Sequence, residues 1–164
     1  MKTIDLRNIN LNDYMPVATA TKKGLFDNND FNKLTNVCYI GTIANVIVQV
    51  AKVTKQDDSI GGFLSINTMA GAADVFGFHV GFHSVNTTPN CRVYSIKKIA
   101  SLKHKFYTYF INEGNTTEVI LYVMIPSKYT AISRSAPFVY KATVEPMKIV
   151  DIDLTGLTEV AVIE

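Results

Sequence analysis

The chain has 164 residues, 48% hydrophobic and 18% charged, with a formal net charge of +2 at pH 7. That length and composition suit one folded domain with a sizeable core, and they exclude a disordered chain. A charge so near neutral implies no nucleic-acid partner, and no stretch approaches the roughly 18 uninterrupted apolar residues of a membrane span.

Residues 1–15 alternate weakly, with Ile4, Leu6, Ile9, Leu11 and Tyr14 set between Asp5, Arg7, Asn8, Asn10 and Asn12. So little apolar area cannot order a segment by itself. The segment is expected to act as an arm that orders in the groove of another polypeptide. It has neither an apolar core of signal-peptide length nor a basic leader, so the chain is expected to be made and kept in a cytoplasm unless a larger assembly carries it out. In residues 16–35, Val17 to Thr21 are small or β-branched and suit an extended strand, which Gly24 ends. Asp27 can cap a short helix, with Asp30 in the capping-box position, and Phe31 and Leu34 then share one side of it.

From residue 36 onward the chain reads as period-2 strands. The expected runs are Val37–Ile43, Val46–Val53, Phe63–Thr68 after a turn over Asp57–Gly62, Val75–Val85, Cys91–Ala100, Lys105–Asn112, Glu118–Ile125, Phe138–Glu145, Met147–Asp153 and Glu159–Ile163. The cleanest alternation puts Phe76, Phe78, Val80 and Phe82 on one face. Gly77, His79, Gly81 and His83 lie on the other, where the glycines leave room for close approach. Lys105–Ile125 reads as a hairpin, with Phe106, Thr108 and Phe110 opposed to Val119, Leu121 and Val123. About ten short strands at this spacing predict a mainly β fold: a β-sandwich or jelly roll over 36–164, preceded by the arm (1–15) and a linker strand and short helix (16–35).

The chemistry-bearing residues form no catalytic pattern. GxSxG and glycine-rich phosphate loops are absent, and no metal, cofactor or catalytic residue is assigned. His79 and His83 tempt as a metal pair, but on a strand their spacing separates them by about 13 Å, too far to share an ion. His104, between Lys103 and Lys105, reads as solvated. The cluster of Lys97, Lys98, Lys103 and Lys105 reads as the wet face of two strands. Asp151 and Asp153 could sit about 6.6 Å apart on one strand face, a spacing open to an inverting glycosidase as well as to a solvated edge. Cys38 and Cys91 lack CxxC spacing and read as two thiols in or under strands. Tyr107, Tyr109, Tyr122, Tyr129 and Tyr140 could stack on sugars, fill an interface or pack a core.

The run Pro16–Leu34 resembles a recurring segment of bacteriophage fibre proteins, of the form A-T-x-T-x-x-G-L-x-(S/D)-x-x-D-x-x-K-L. Ala18, Thr19, Thr21, Gly24, Leu25, Asp27, Asp30, Lys33 and Leu34 carry the match, and Phe31 stands where a polar residue is usual. The resemblance covers about a ninth of the chain. It implies a virion appendage subunit that is no enzyme, docked on a capsid or tail protein through Ile4, Leu6, Ile9, Leu11 and Tyr14. It further implies a homo-oligomer, usually a trimer, with Phe26, Phe31 and Leu34 buried between chains. One anchor, one linker and one domain without shaft repeats suit a short head fibre better than a tail fibre. A tip that adheres to a host surface glycan, a stand-alone carbohydrate-binding module, and an enzyme acting on glycans through Asp151 and Asp153 are the other expectations.

Overall fold

In a computed structural model the chain divides into two units, Met1–Thr35 and Asn36–Glu164. The structure describes residues 36–69, 73–83, 88–98, 103–113 and 116–164. The expected arm, the expected linker helix and the expected interface residues Phe26, Phe31 and Leu34 therefore lie outside the described residues.

The described residues form eleven strands: β1 (Val37–Ile40), β2 (Val46–Val53), β3 (Ser59–Thr68), β4 (Ala73–Gly81), β5 (Asn90–Lys97), β6 (Lys105–Glu113), β7 (Thr116–Ile125), β8 (Thr130–Tyr140), β9 (Lys148–Val150), β10 (Thr158–Val160) and β11 (Val162–Ile163). One sheet has the order β1-β8-β3-β4-β5-β11 and the other β10-β6-β7-β2-β9. Residues of both sheets share one core, the arrangement of a β-sandwich.

Alternation decides which side chains enter that core. Phe106, Thr108 and Phe110 pair with Val123, Leu121 and Val119 across the β6–β7 hairpin, as their period-2 spacing predicts. Phe76, Phe78, Val80 and Phe82 are all buried. Rings then lock one sheet onto the other. Phe76 meets Phe106 edge-on at 5.0 Å between centroids, and Phe82 meets Phe110 at 5.1 Å. Such pairs add about 0.5–1.5 kcal/mol each beyond the area they bury.

A buried arginine makes a second tie. Arg134, on the core face of β8, is 5% exposed. Its guanidinium donates to the Val50 carbonyl, to Asn36 Oδ1 at 2.5 Å and to the Glu145 carbonyl at 2.5 Å. Val50 is the extra residue where the β2–β7 register shifts between Gln49 and Ala51. A bulge leaves a residue outside the ladder, and here the arginine takes up its carbonyl. Burial pushes the guanidinium pKa down to about 10, so this cation is held by oxygen dipoles against a real desolvation cost.

Four expectations need correction. The turn expected over Asp57–Gly62 is over by Asp58, and Gly61 and Gly62 lie inside β3. A Cβ on Gly62 would fall on the Ser135 carbonyl oxygen, with Ala136 Cα at 2.8 Å, so close strand approach explains this glycine. β8 runs Thr130–Tyr140 in place of the strand expected over Phe138–Glu145. Its Pro137 sits with Ala136 opposite Gly62, where the β3–β8 register shifts and a missing N–H is tolerated.

Asp151 and Asp153 do not share a strand face, because β9 ends at Val150. Asp153 instead accepts hydrogen bonds from Thr155 N and Oγ1, both at 2.9 Å, and so caps a turn. His104 is not solvated. Its side chain is 1% exposed, with Nε2 3.2 Å from Oδ2 of the fully buried Asp74 and its ring edge-on to Phe76 at 6.0 Å. Burial lowers its pKa, Asp74 opposes that, and Lys98 adds to it.

The outer faces differ. Val150, Ile152, Leu154 and Leu157 cover Tyr107, Ile120 and Tyr122 on the five-stranded sheet. On the six-stranded sheet Val37, Tyr39, Phe63, Tyr94, Ile96 and Ile163 stay exposed. Phe63, Gly77, Tyr94 and Ile163 form one cross-strand row through β3, β4, β5 and β11.

Candidate ligand-binding cleft

A cleft of about 390 Å³ opens at one end of the six-stranded sheet, where β3 starts and β4 and β8 finish. Its walls come from separate segments: Asp57, Asp58 and Ser59; His79, Gly81, Phe82 and His83; Asn90; and Phe138, Tyr140 and Lys141.

Backbone geometry holds these segments together. Asp57 N donates to the Phe82 carbonyl at 2.7 Å, and Phe82 N to the Asp58 carbonyl at 3.4 Å, so the β2–β3 turn is stitched to the end of β4. Asp57 takes the left-handed backbone at φ 63°, and Lys141 does so at φ 56°. Non-glycine residues are uncommon there. At Lys141 the chain turns out of β8, with Ala142 N donating to the Tyr140 carbonyl at 2.7 Å and a bridge joining Ser59 to Lys141. Gly81 lets the walls approach, since a Cβ on it would lie 2.9 Å from Ser59 Cβ and 3.2 Å from the Asp58 carbonyl oxygen.

The cleft is half aromatic and half polar. Phe138 and Tyr140, two apart on β8, are 53% and 51% exposed. The His79 ring lies 6.4 Å from that of Phe138, and Lys141 Nζ sits 5.1 Å from the centre of the Tyr140 ring. Burial lowers the His79 pKa, with the Asn90 backbone opposing and Arg92 assisting, so the ring is neutral at pH 7. Its Nδ1 is buried without a hydrogen-bond partner among the described residues. At the rim His83 Nδ1 stands 3.8 Å from Asp57 Oδ1. Asp58 is buried.

The structure thus brings His79 and His83 to one cleft, although no group of three or more metal-type ligands gathers among the described residues. Tyr140 joins them, whereas Tyr107, Tyr109 and Tyr122 line the opposite sheet. Tyr109 and Tyr122 border a smaller hollow of about 240 Å³ with Glu118 and Asp153. Cys38 and Cys91 are free thiols. Sequence reading missed Asp57, Asp58, Asn90, Phe138 and Lys141 as parts of one site. The only local sign was the glycine-histidine face of β4.

Comparisons with family models, with curated proteins and with solved structures find no match for this chain.

Proposed function

We propose that this chain is a virion structural protein, a phage head-fibre subunit that docks on the capsid through residues 1–15 and displays the 36–164 sandwich as its tip. The observation that carries the reading is the linker-like run ending at Lys33 and Leu34, followed directly by a domain whose described residues form strands and no helix. The pairing of early strands with late ones, β1 with β8 and β2 with β7, is a Greek-key feature that supports a jelly-roll relation for the tip. Self-association is supported by the apolar outer face of the six-stranded sheet. Its six side chains, each roughly half exposed, offer more than the scattered hydrophobics of an ordinary monomer surface. Homo-oligomerisation, as a trimer, is part of the proposal.

Light scattering of the purified full chain tests it. A stable oligomer at micromolar concentration is the expected outcome, and a clean monomer counts against the reading. A second reading, a stand-alone carbohydrate-binding module, is favoured by the aromatic and polar cleft. Deleting residues 1–15 separates the two: a monomer that still binds glycans supports the module.

A further inference from the structure

We infer that the cleft between β3, β4 and β8 binds an uncharged hexopyranose unit at the end or within the run of a surface glycan. The inference deepens the adhesive side of the displayed-tip reading and rests on it only for where such a sugar is met.

Three features carry it. The first is size, since about 390 Å³ falls within the range of small-molecule sites, roughly 300–1,000 Å³. The second is the platform of Phe138 and Tyr140. Large rings left half exposed in a concavity are costly to keep wet, and a pyranose covers them with its apolar C–H face while its hydroxyls point elsewhere. The Lys141 ammonium and the neutral His79 ring flank that platform and hold it from two sides.

The third feature is the donor and acceptor set. Sugar hydroxyls need acceptors for their hydrogens, and Asp57, Asp58 and the Asn90 side chain supply them on the wall beside the rings. Asp58 is 6% exposed and stands on that same wall. A carboxylate on the cleft wall is a strong acceptor for sugar hydroxyls, because hydrogen bonds to an ionised acceptor are about twice as strong as neutral ones.

Charge then selects the class of sugar. Two carboxylates and one ammonium line the cleft, and the ammonium is already placed over the Tyr140 ring. Sialic acids, uronic acids and phosphorylated sugars would bring a like charge towards Asp57 and Asp58 and are disfavoured.

The test uses the full-length chain on an array of neutral glucose-, galactose-, mannose- and N-acetylhexosamine-containing oligosaccharides, with sialylated and uronic ones as contrast. The strongest neutral binder is then titrated calorimetrically. Neutral glycans are expected to bind in preference to anionic ones. Tyr140→Ala and Asp58→Asn are each expected to weaken binding at least tenfold, while Lys148→Ala on β9 of the opposite sheet leaves it unchanged. Thermal melting of each variant checks folding, and Phe138→Ala stands in should Asp58→Asn melt early. Absence of any neutral binder, preference for anionic glycans, or binding that survives both Tyr140→Ala and Phe138→Ala would each overturn the assignment. None of these results bears on the oligomer mass, so the fibre reading stands or falls separately.

Discussion

Arg134→Met removes a buried cation while leaving its three acceptors in place. The lowering of the guanidinium pKa to about 10 corresponds to roughly 3 kcal/mol against the charged form. Three charge-assisted hydrogen bonds offset that, at about 1.5–3 kcal/mol each. Methionine relieves the desolvation cost and forfeits the bonds, and it strands the Val50 and Glu145 carbonyls and Asn36 Oδ1 inside the sandwich. Replacing a buried charge by an apolar residue is often harmless when its partners go too, but here they remain. The expected net loss is about 2–5 kcal/mol, a large share of the roughly 5–15 kcal/mol that holds a domain together. Urea unfolding followed by far-ultraviolet circular dichroism reads it. With a slope of about 2 kcal/mol per molar, the midpoint should fall by roughly 1–2.5 M. Arg134→Lys should fall as well, since one ammonium cannot reach three separated oxygens. A Met variant within about 0.5 kcal/mol of the parent would refute the inter-sheet tie.

Gly62→Ala should abolish soluble folded protein, or lower stability by more than about 3 kcal/mol, because its Cβ has no space beside Ser135 and Ala136; expression yield and circular dichroism check it. The folded-state pKa values of His104 and His79 both lie below the ordinary value near 6.5, so the unfolded chain binds more protons just beneath that pH. Their contribution is complete above pH 6.5 and is lost as pH falls, so urea midpoints at pH 5 should lie below those at pH 7.5, with a smaller gap in His104→Gln. Equal midpoints at the two pH values would contradict the buried neutral pair. Cys38 in β1 and Cys91 in β5 are separated by β8, β3 and β4, roughly 19 Å by strand spacing and far beyond disulfide reach. No intrachain disulfide should form in the native protein under oxidant, and Cys91, its thiol pushed up to about 11 by burial, should react slowly with a thiol reagent at pH 8 until the chain unfolds.

Local pattern made the sandwich legible. Phe76 to Phe82 and the Phe106–Phe110 hairpin strand announced their buried faces because side chains alternate every two residues, and the hairpin fixed its own register. What failed were residues whose role depends on distant chain. His104 looked wet between two lysines, yet Asp74, thirty residues earlier, faces it across the sandwich. Gly61-Gly62 and Pro137 looked like breakers, but each is the other's complement at one bulge. The cleft was illegible for the same reason, since Asp57, His79, Asn90 and Tyr140 meet only once β3, β4, β5 and β8 are laid side by side. Only the open glycine-histidine face of β4 hinted that something approaches there.

A self-assembling displayed subunit, as proposed for this chain, must show its assembly in its solution mass. Multi-angle light scattering of the full chain at micromolar concentration should give three times the 18.2 kDa of one chain. A single species at 18.2 kDa would contradict it.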